Sequence, residues 1–170
     1  MLFWFRPTIE RERLPLKTRH GLEIRAATGA DAPGVSELLK AAGHEISSRA
    51  LADRLDVIRQ EAGAALIALE WGPPSGIVLL HWYRTLDADQ MTAQITMLVV
   101  GPDERRRGIG RLLVKAAAQA ARVAGCGTLE LRAAPGEPTM RQFCQATGFM
   151  EAAQTFVRPL RKSRDTNERQ

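Results

Sequence analysis

Of the 170 residues only two are cysteine, Cys126 and Cys144, and three are histidine, His20, His44 and His81. The cysteines form no C-x-x-C pair, and neither shares a metal-ligand spacing with a histidine. Neither a disulfide framework nor a metal site is therefore suggested. This usage fits a reducing cytoplasm, where the chain is expected to reside. Long hydrophobic runs are missing too. Met1 to Phe5 is too short for a signal-peptide core and is cut off by Arg6-Pro7, and no later run approaches the ~20 apolar residues that a membrane-spanning helix needs. No membrane association is expected.

An excess of charge in the central region is also missing. The formal net charge is +5. Residues 1–20 carry five Lys/Arg against two Asp/Glu and residues 161–170 carry four against two, leaving 15 of each sign in 21–160. A domain-wide basic face is thus not expected, and nucleic acid is not an expected partner.

What is present has globular composition, 45% hydrophobic and 25% charged, in a chain long enough for one sizeable core. We read an N-terminal extension over 1–20, one domain over 21–160 and a flexible tail over 161–170. Leu22 to Ala27 alternates like a strand. Thr28-Gly29-Ala30-Asp31 then opens an apolar-periodic helix ending near Gly43. Ser47 and Ser48 cap a second helix, with Leu51, Leu55 and Ile58 at helical spacing up to Gly63. Strands over Ala64–Trp71 and Gly76–Tyr83 flank the turn cluster Gly72-Pro73-Pro74-Ser75. A strand over Met91–Val100, a helix over Arg107–Ala124, a strand over Thr128–Ala133, a short helix over Thr139–Ala146 and a strand over Ala152–Val157 complete the order. The fold class is α/β (α+β), a mixed central sheet with helices on its faces.

The most informative stretch runs from Leu98 to Leu113. A strand ends at Gly101-Pro102, and the Arg/Gly-rich turn Arg105-Arg106-Arg107-Gly108-Ile109-Gly110-Arg111 feeds straight into a helix. The first N–H groups of a helix have no intrahelical acceptor, and the helix dipole favours an anion at that end. Gly108 and Gly110 have no side chain to hold a ligand away from the backbone, and the arginines surround it with positive charge. A diphosphate suits such a cradle. A dinucleotide fingerprint would need a third glycine where Leu113 stands, and the Gly-Lys-Ser/Thr of a Walker A loop is absent.

In this context Val100, Pro102, Arg105, Gly108, Ile109, Gly110 and Leu113 fill V-x-P-x-x-R-x-x-G-I-G-x-x-L, which resembles the acetyl-coenzyme A signature of the GNAT superfamily of N-acetyltransferases. The resemblance extends over roughly 22–157, because the order of elements also matches. It implies a GNAT-like acyl-CoA N-acyltransferase fold, with a sheet of about six to seven strands and about four helices. It implies acetyl-CoA as co-substrate, no metal, and transfer of the acetyl group to a primary amine, on a small molecule or a peptide, by direct attack in a ternary complex. In the family the backbone of the strand before the cradle pairs with the pantetheine arm, which nominates Leu98, Val99 and Val100. That strand and the next are expected to splay and leave a slot for the thioester. Members often dimerise, so a homodimer is an open option.

Two departures accompany the resemblance. Cys144 occupies the position where many members carry the tyrosine that protonates the departing thiolate, and Gln94 and Thr96 stand where relatives have glutamates. Cys144 is the candidate acid. His44 and Glu45, in the loop between the first two helices, and His81, near the end of its strand, are the acceptor-side candidates, whereas Glu130 faces slot or solvent equally on this pattern. The alternative function is an acetyl-CoA-binding sensor or scaffold that has lost catalysis.

Overall fold

The computed structural model describes residues 21–132 and 138–152. Chain order is β1 (Glu23–Ala26), α1 (Ala32–Ala41), α2 (Ser48–Gln60), β2 (Gly63–Leu69), β3 (Gly76–Tyr83), β4 (Met91–Val100), α3 (Ile109–Val123), β5 (Cys126–Leu131) and α4 (Pro138–Ala146). Short 3₁₀ turns at Gly29–Asp31 and Pro102–Glu104 lead into α1 and away from β4. The described sheet has five strands in the order β1-β2-β3-β4-β5. The expected six to seven strands are thus not found among the described residues, and the strand expected over 152–157 lies almost wholly outside them. Both expected tails, 1–20 and 161–170, lie outside as well.

Element boundaries follow from local chemistry. Ser47 caps α2 by accepting from the Ala50 N–H at 3.3 Å. The helix expected from Arg107 starts instead at Ile109, because Gly108 takes a left-handed φ of 83° that no helical residue adopts. The strand expected from Thr128 starts at Cys126, where the chain reverses through Gly125 and pairs at once with Met91.

The first four strands are antiparallel to their neighbours, and β5 alone runs parallel to its partner, β4. Alternation along the strands divides the core in two. Ile24, Ala68, Val78, Leu80, Ala93 and Ile95 pack on one side with Leu113, Ala117 and Ala121 of α3. Ala65, Ile67 and Ile77 pack on the other with Val35, Leu39, Leu51 and Leu55 of α1 and α2. Helix α3 lies so close to the sheet that a Cβ on Gly76 would stand 2.9 Å from Leu113 Cδ1 and 3.0 Å from the Val99 carbonyl oxygen.

At the entry to α1, Arg25 donates two hydrogen bonds to Asp31, at 2.7 and 2.9 Å, while the Thr28 N–H and hydroxyl donate to the same carboxylate. Chiefly through the Arg25 bonds, against the opposing cost of burial, the Asp31 carboxyl is lowered to about 2.

Two predictions follow from these contacts. Gly76→Ala should cost about 1–3 kcal/mol by overpacking, measured by urea unfolding, whereas a neutral or stabilising result would mean α3 can recede. For Asp31, whose folded pKa is depressed, the stabilisation is complete above the unfolded value near ~3.9 and is lost as pH falls towards about 2. Urea midpoints of the wild type and Asp31→Asn should therefore converge across that window, and a constant gap would contradict the pairing.

Candidate active site

Strand β4 pairs with β3 along its length but with β5 over its first half only. Against β3 its register runs regularly from Gly76↔Val100 to Leu79↔Met97, then shifts so that Leu80 faces Ile95, leaving Thr96 as an extra residue. This is a β-bulge, and it reverses which face each side chain meets. Ala93 and Ile95 face α3, and beyond the bulge so do Leu98 and Val100. Against β5 the pairing runs only from Met91↔Cys126 to Ile95↔Leu131. Past that rung β4 continues to Val100 paired, among the described residues, with β3 alone. The expected slot would therefore open at the bulge.

The ladder also tells which backbone groups line it. The Gly101 N–H donates to the Ser75 carbonyl at 2.9 Å. By the two-residue spacing of an antiparallel ladder, Val99 and Met97 then bond to β3, and Leu98 and Val100 turn their N–H and C=O groups to the open side. Of the three nominated residues, Leu98 and Val100 present backbone there that pairs with no described strand, while Val99 holds β4 to β3.

After Val100 the chain passes through Pro102–Glu104 and folds back through two left-handed residues, Arg106 at φ 66° and Gly108 at φ 83°. This turn brings the start of α3 up to the end of β4. A Cβ on Gly110 would lie 3.3 Å from the Phe143 ring of α4 and 3.6 Å from Val100 Cγ2, so the glycine lets three elements meet. Ile109 is buried as the anchor of the turn. The Leu112 N–H is the first to find a helical acceptor, the Gly108 carbonyl, at 3.1 Å. The N–H groups of Gly108, Ile109, Gly110 and Arg111 have no such acceptor among the described residues.

The four arginines divide. Arg107 is tied to Glu70 at 2.6 Å and to Glu104, so its charge is compensated and it acts as a clasp between the loop and the end of β2. Arg105, Arg106 and Arg111 are exposed and make no ion pair among the described residues. The loop's free positive charge thus comes from these three. On the flank of the loop lies a depression of about 320 Å³ lined by Glu37, Glu70, Trp71, Asp103 and Glu104 among others. Its carboxylates make it the wrong sign for a diphosphate.

The remaining candidates are placed unequally. Cys144 is half-buried on α4, one residue from Phe143, and burial pushes its thiol up. His44 and Glu45 are exposed on the α1–α2 loop. Glu45 borders a shallow depression with Ser36, Lys40, Ile46 and Ser47, none of which belongs to β4 or β5. His81 stands on β3 between Gly63 and Gln94, on the sheet face that α2 covers. The strand pairing places His81, Gln94 and Glu130 in one row across β3, β4 and β5. Sequence reasoning left Glu130 undecided because alternation says which residues share a face but not which face. The cross-strand register decides it.

No group of histidine, cysteine, aspartate and glutamate suited to a metal ion occurs among the described residues, and no described helix is long and apolar enough to cross a membrane.

Comparison with known proteins agrees with this fold. No curated protein sequence matches the chain. Among solved structures, a provisionally assigned acetyltransferase from Agrobacterium tumefaciens str. C58 is 25% identical, with a TM-score of 0.72 over 80% of this chain and 98% of its own. The aminoglycoside N-acetyltransferase AAC(6')-Iy, solved with CoA, is 21% identical, with a TM-score of 0.71 over 83% of this chain and 95% of its own. Glucosamine-6-phosphate N-acetyltransferase from Arabidopsis thaliana, at 15% identity, shares the fold with a TM-score of 0.71 over 82% of this chain and 99% of its own. The model of the acetyltransferase (GNAT) family matches residues 33–149, which span the slot, the loop and α4. The chain belongs to the acetyltransferase (GNAT) family.

Proposed function

We propose that this protein transfers the acetyl group of acetyl-CoA to a primary amine by direct attack within a ternary complex. The observation that carries the reading is the junction of two backbone surfaces unpaired among the described residues: the edge of β4 at Leu98 and Val100 and the N–H groups at the start of α3. A ligand that suits both needs amide groups to pair with a strand edge and, a few residues further on, an anionic diphosphate. Pantetheine joined to a pyrophosphate has those two parts in that order. Arg105, Arg106 and Arg111 supply the charge around the diphosphate.

With the arm paired along β4, the thioester would lie towards the bulge, where β4 and β5 separate. The amine's lone pair attacks the carbonyl carbon, a backbone N–H in the slot stabilises the oxyanion, and the C–S bond breaks with its electron pair leaving on sulfur. Cys144 is the proton donor to that thiolate. Burial keeps it a neutral thiol, the protonation state a donor needs and a nucleophile lacks. The leaving thiolate has a reference pKa near ~8.5, so the donor's contribution is moderate. Acceptors on small molecules and on peptides both fit an open slot, and the relatives that acetylate an aminoglycoside or glucosamine-6-phosphate favour the former.

Two expected outcomes test this reading. Arg105→Glu and Arg106→Glu, both at exposed positions, should each weaken acetyl-CoA binding by about tenfold or more in calorimetry while leaving the unfolding midpoint in place; unchanged affinity would remove the loop from the site. Cys144→Ala should lower turnover, followed as free thiol released with a panel of primary amines, by about one to two orders of magnitude without loss of acetyl-CoA affinity. Unchanged specific activity with a lower unfolding midpoint would make Cys144 a packing residue. Tight acetyl-CoA binding with no turnover on any amine, in the wild type, would instead favour a sensor or scaffold.

A further inference from the structure

The parallel ladder between β4 and β5 ends at Ile95↔Leu131, and the rung before it is Gln94↔Glu130. Glu130 therefore stands one residue, about 3.3 Å of strand, from the point where the slot opens. Its neighbours Leu129 and Leu131 pack towards α3, so Glu130 projects from the opposite face, with His81 and Gln94. On that face the Tyr83 hydroxyl, at 3.4 Å, and Gln94 Nε2, at 3.3 Å, both donate to the same oxygen, Glu130 Oε2. Oε1 accepts from no described residue. Both donors are neutral and both bonds are long, so they orient the carboxylate without cancelling its charge. Arg132 lies two residues on and is exposed, yet it forms no ion pair with Glu130 among the described residues.

A carboxylate with one oxygen held and the other free, carrying an uncompensated charge beside the slot, is built for a cation. We propose that Glu130 is the acceptor-binding carboxylate, that Tyr83 and Gln94 are its positioning residues, and that the acceptor class is a primary amine that arrives as its ammonium ion. This assignment rests on the reading of the slot as the acetyl-transfer site.

The chemistry fixes when Glu130 acts. Reference values near ~4.3 for a glutamate and ~10.4 for an alkylammonium make direct transfer of the first proton unfavourable by about 10⁶. Glu130 Oε1 therefore binds the ammonium, which gives its first proton to water and becomes a neutral amine. Attack on the thioester carbonyl forms the C–N bond and leaves the nitrogen positively charged and strongly acidic. Its proton then passes to Oε1, the carbonyl re-forms, and the C–S bond breaks with both electrons on sulfur. The proton on Glu130 goes on to water, the thiolate takes its proton from Cys144, which water reprotonates, and an amide and a free thiol are left.

Tyr83 is the one tyrosine in the sequence, so a tyrosine signal reports on this site alone. Burial, and after it the charge and hydrogen bond of Glu130, push its hydroxyl up, with Arg132 acting the other way. We would label tyrosine with ¹³C at Cζ and titrate the full-length protein, saturated with CoA, with 1,4-diaminobutane and with butan-1-ol as the neutral control. The expected result is a saturable Tyr83 shift with the diamine and none with the alcohol. Glu130→Gln should raise the half-saturating diamine concentration by about tenfold or more while leaving CoA affinity within about twofold. Tyr83→Phe, followed by thiol release, should raise KM for the diamine more than it lowers kcat. If the protein binds CoA and the Tyr83 signal ignores the diamine, or responds equally in Glu130→Gln, the assignment of Glu130 is overturned while the slot stands. If neither protein binds CoA, the reading of the slot itself fails.

Discussion

A strand paired on one side throughout but on the other for only half its length, among the described residues, is the constraint on which this structure turns. The hydrogen bonds that β5 does not make past Ile95 leave the N–H and C=O groups of Leu98 and Val100 without a strand partner on that side among the described residues. Backbone groups left unpaired away from water are costly, so such an edge persists only where water or a ligand satisfies it. The bulge at Thr96 keeps β4 bonded to β3 while its course changes. It also returns Leu98 and Val100 to the α3 face, so the open segment is still anchored in the core. The slot is thus bordered on one side by the antiparallel β3–β4 ladder, interrupted only at the bulge.

Electrostatics then divides the surface around that slot. At the far end of β4 the free N–H groups of α3 and the unpaired arginines favour an anion. Next to them, the Arg107 clasp to Glu70 and Glu104 spends one cation on holding the loop in shape. At the bulge end the sign reverses, because Glu130 offers a carboxylate whose charge no described cation cancels. Donor phosphates and acceptor ammonium would thus meet fields of opposite sign at opposite ends of one strand, which orients two substrates without a separate domain for each.

Much of this was legible in the sequence. The turn residues and apolar periodicity placed nearly all the described elements, and the Arg/Gly turn after a proline stop marked the loop that leads into α3, because glycine and proline act through local sterics that no distant contact overrides. Start positions were less legible. Arg107 looked helical until the left-handed Gly108 fixed the start at Ile109. Other features depended on partners far along the chain. Nothing in Ile95-Thr96-Met97 announces a bulge, since an apolar run hides a change of parity. Arg107 could not be separated from Arg105, Arg106 and Arg111 without seeing Glu70, 37 residues away. Glu130 was one acidic residue on an alternating strand until the β4–β5 register placed it beside Gln94 and under Tyr83. His44 and Glu45 are the reverse case: a loop pair that drew attention in sequence stands, in the structure, at a depression lined by neither β4 nor β5.

The central claim is that the open half of β4 and the start of α3 form one continuous binding surface. Amide hydrogen exchange with and without acetyl-CoA tests it most directly. The account predicts that exchange slows at Leu98 and Val100 and at the N–H groups of Gly108 to Arg111, while Val99, already bonded to β3, changes little. Protection confined to other segments, or binding that leaves all these amides exchanging as before, would contradict it.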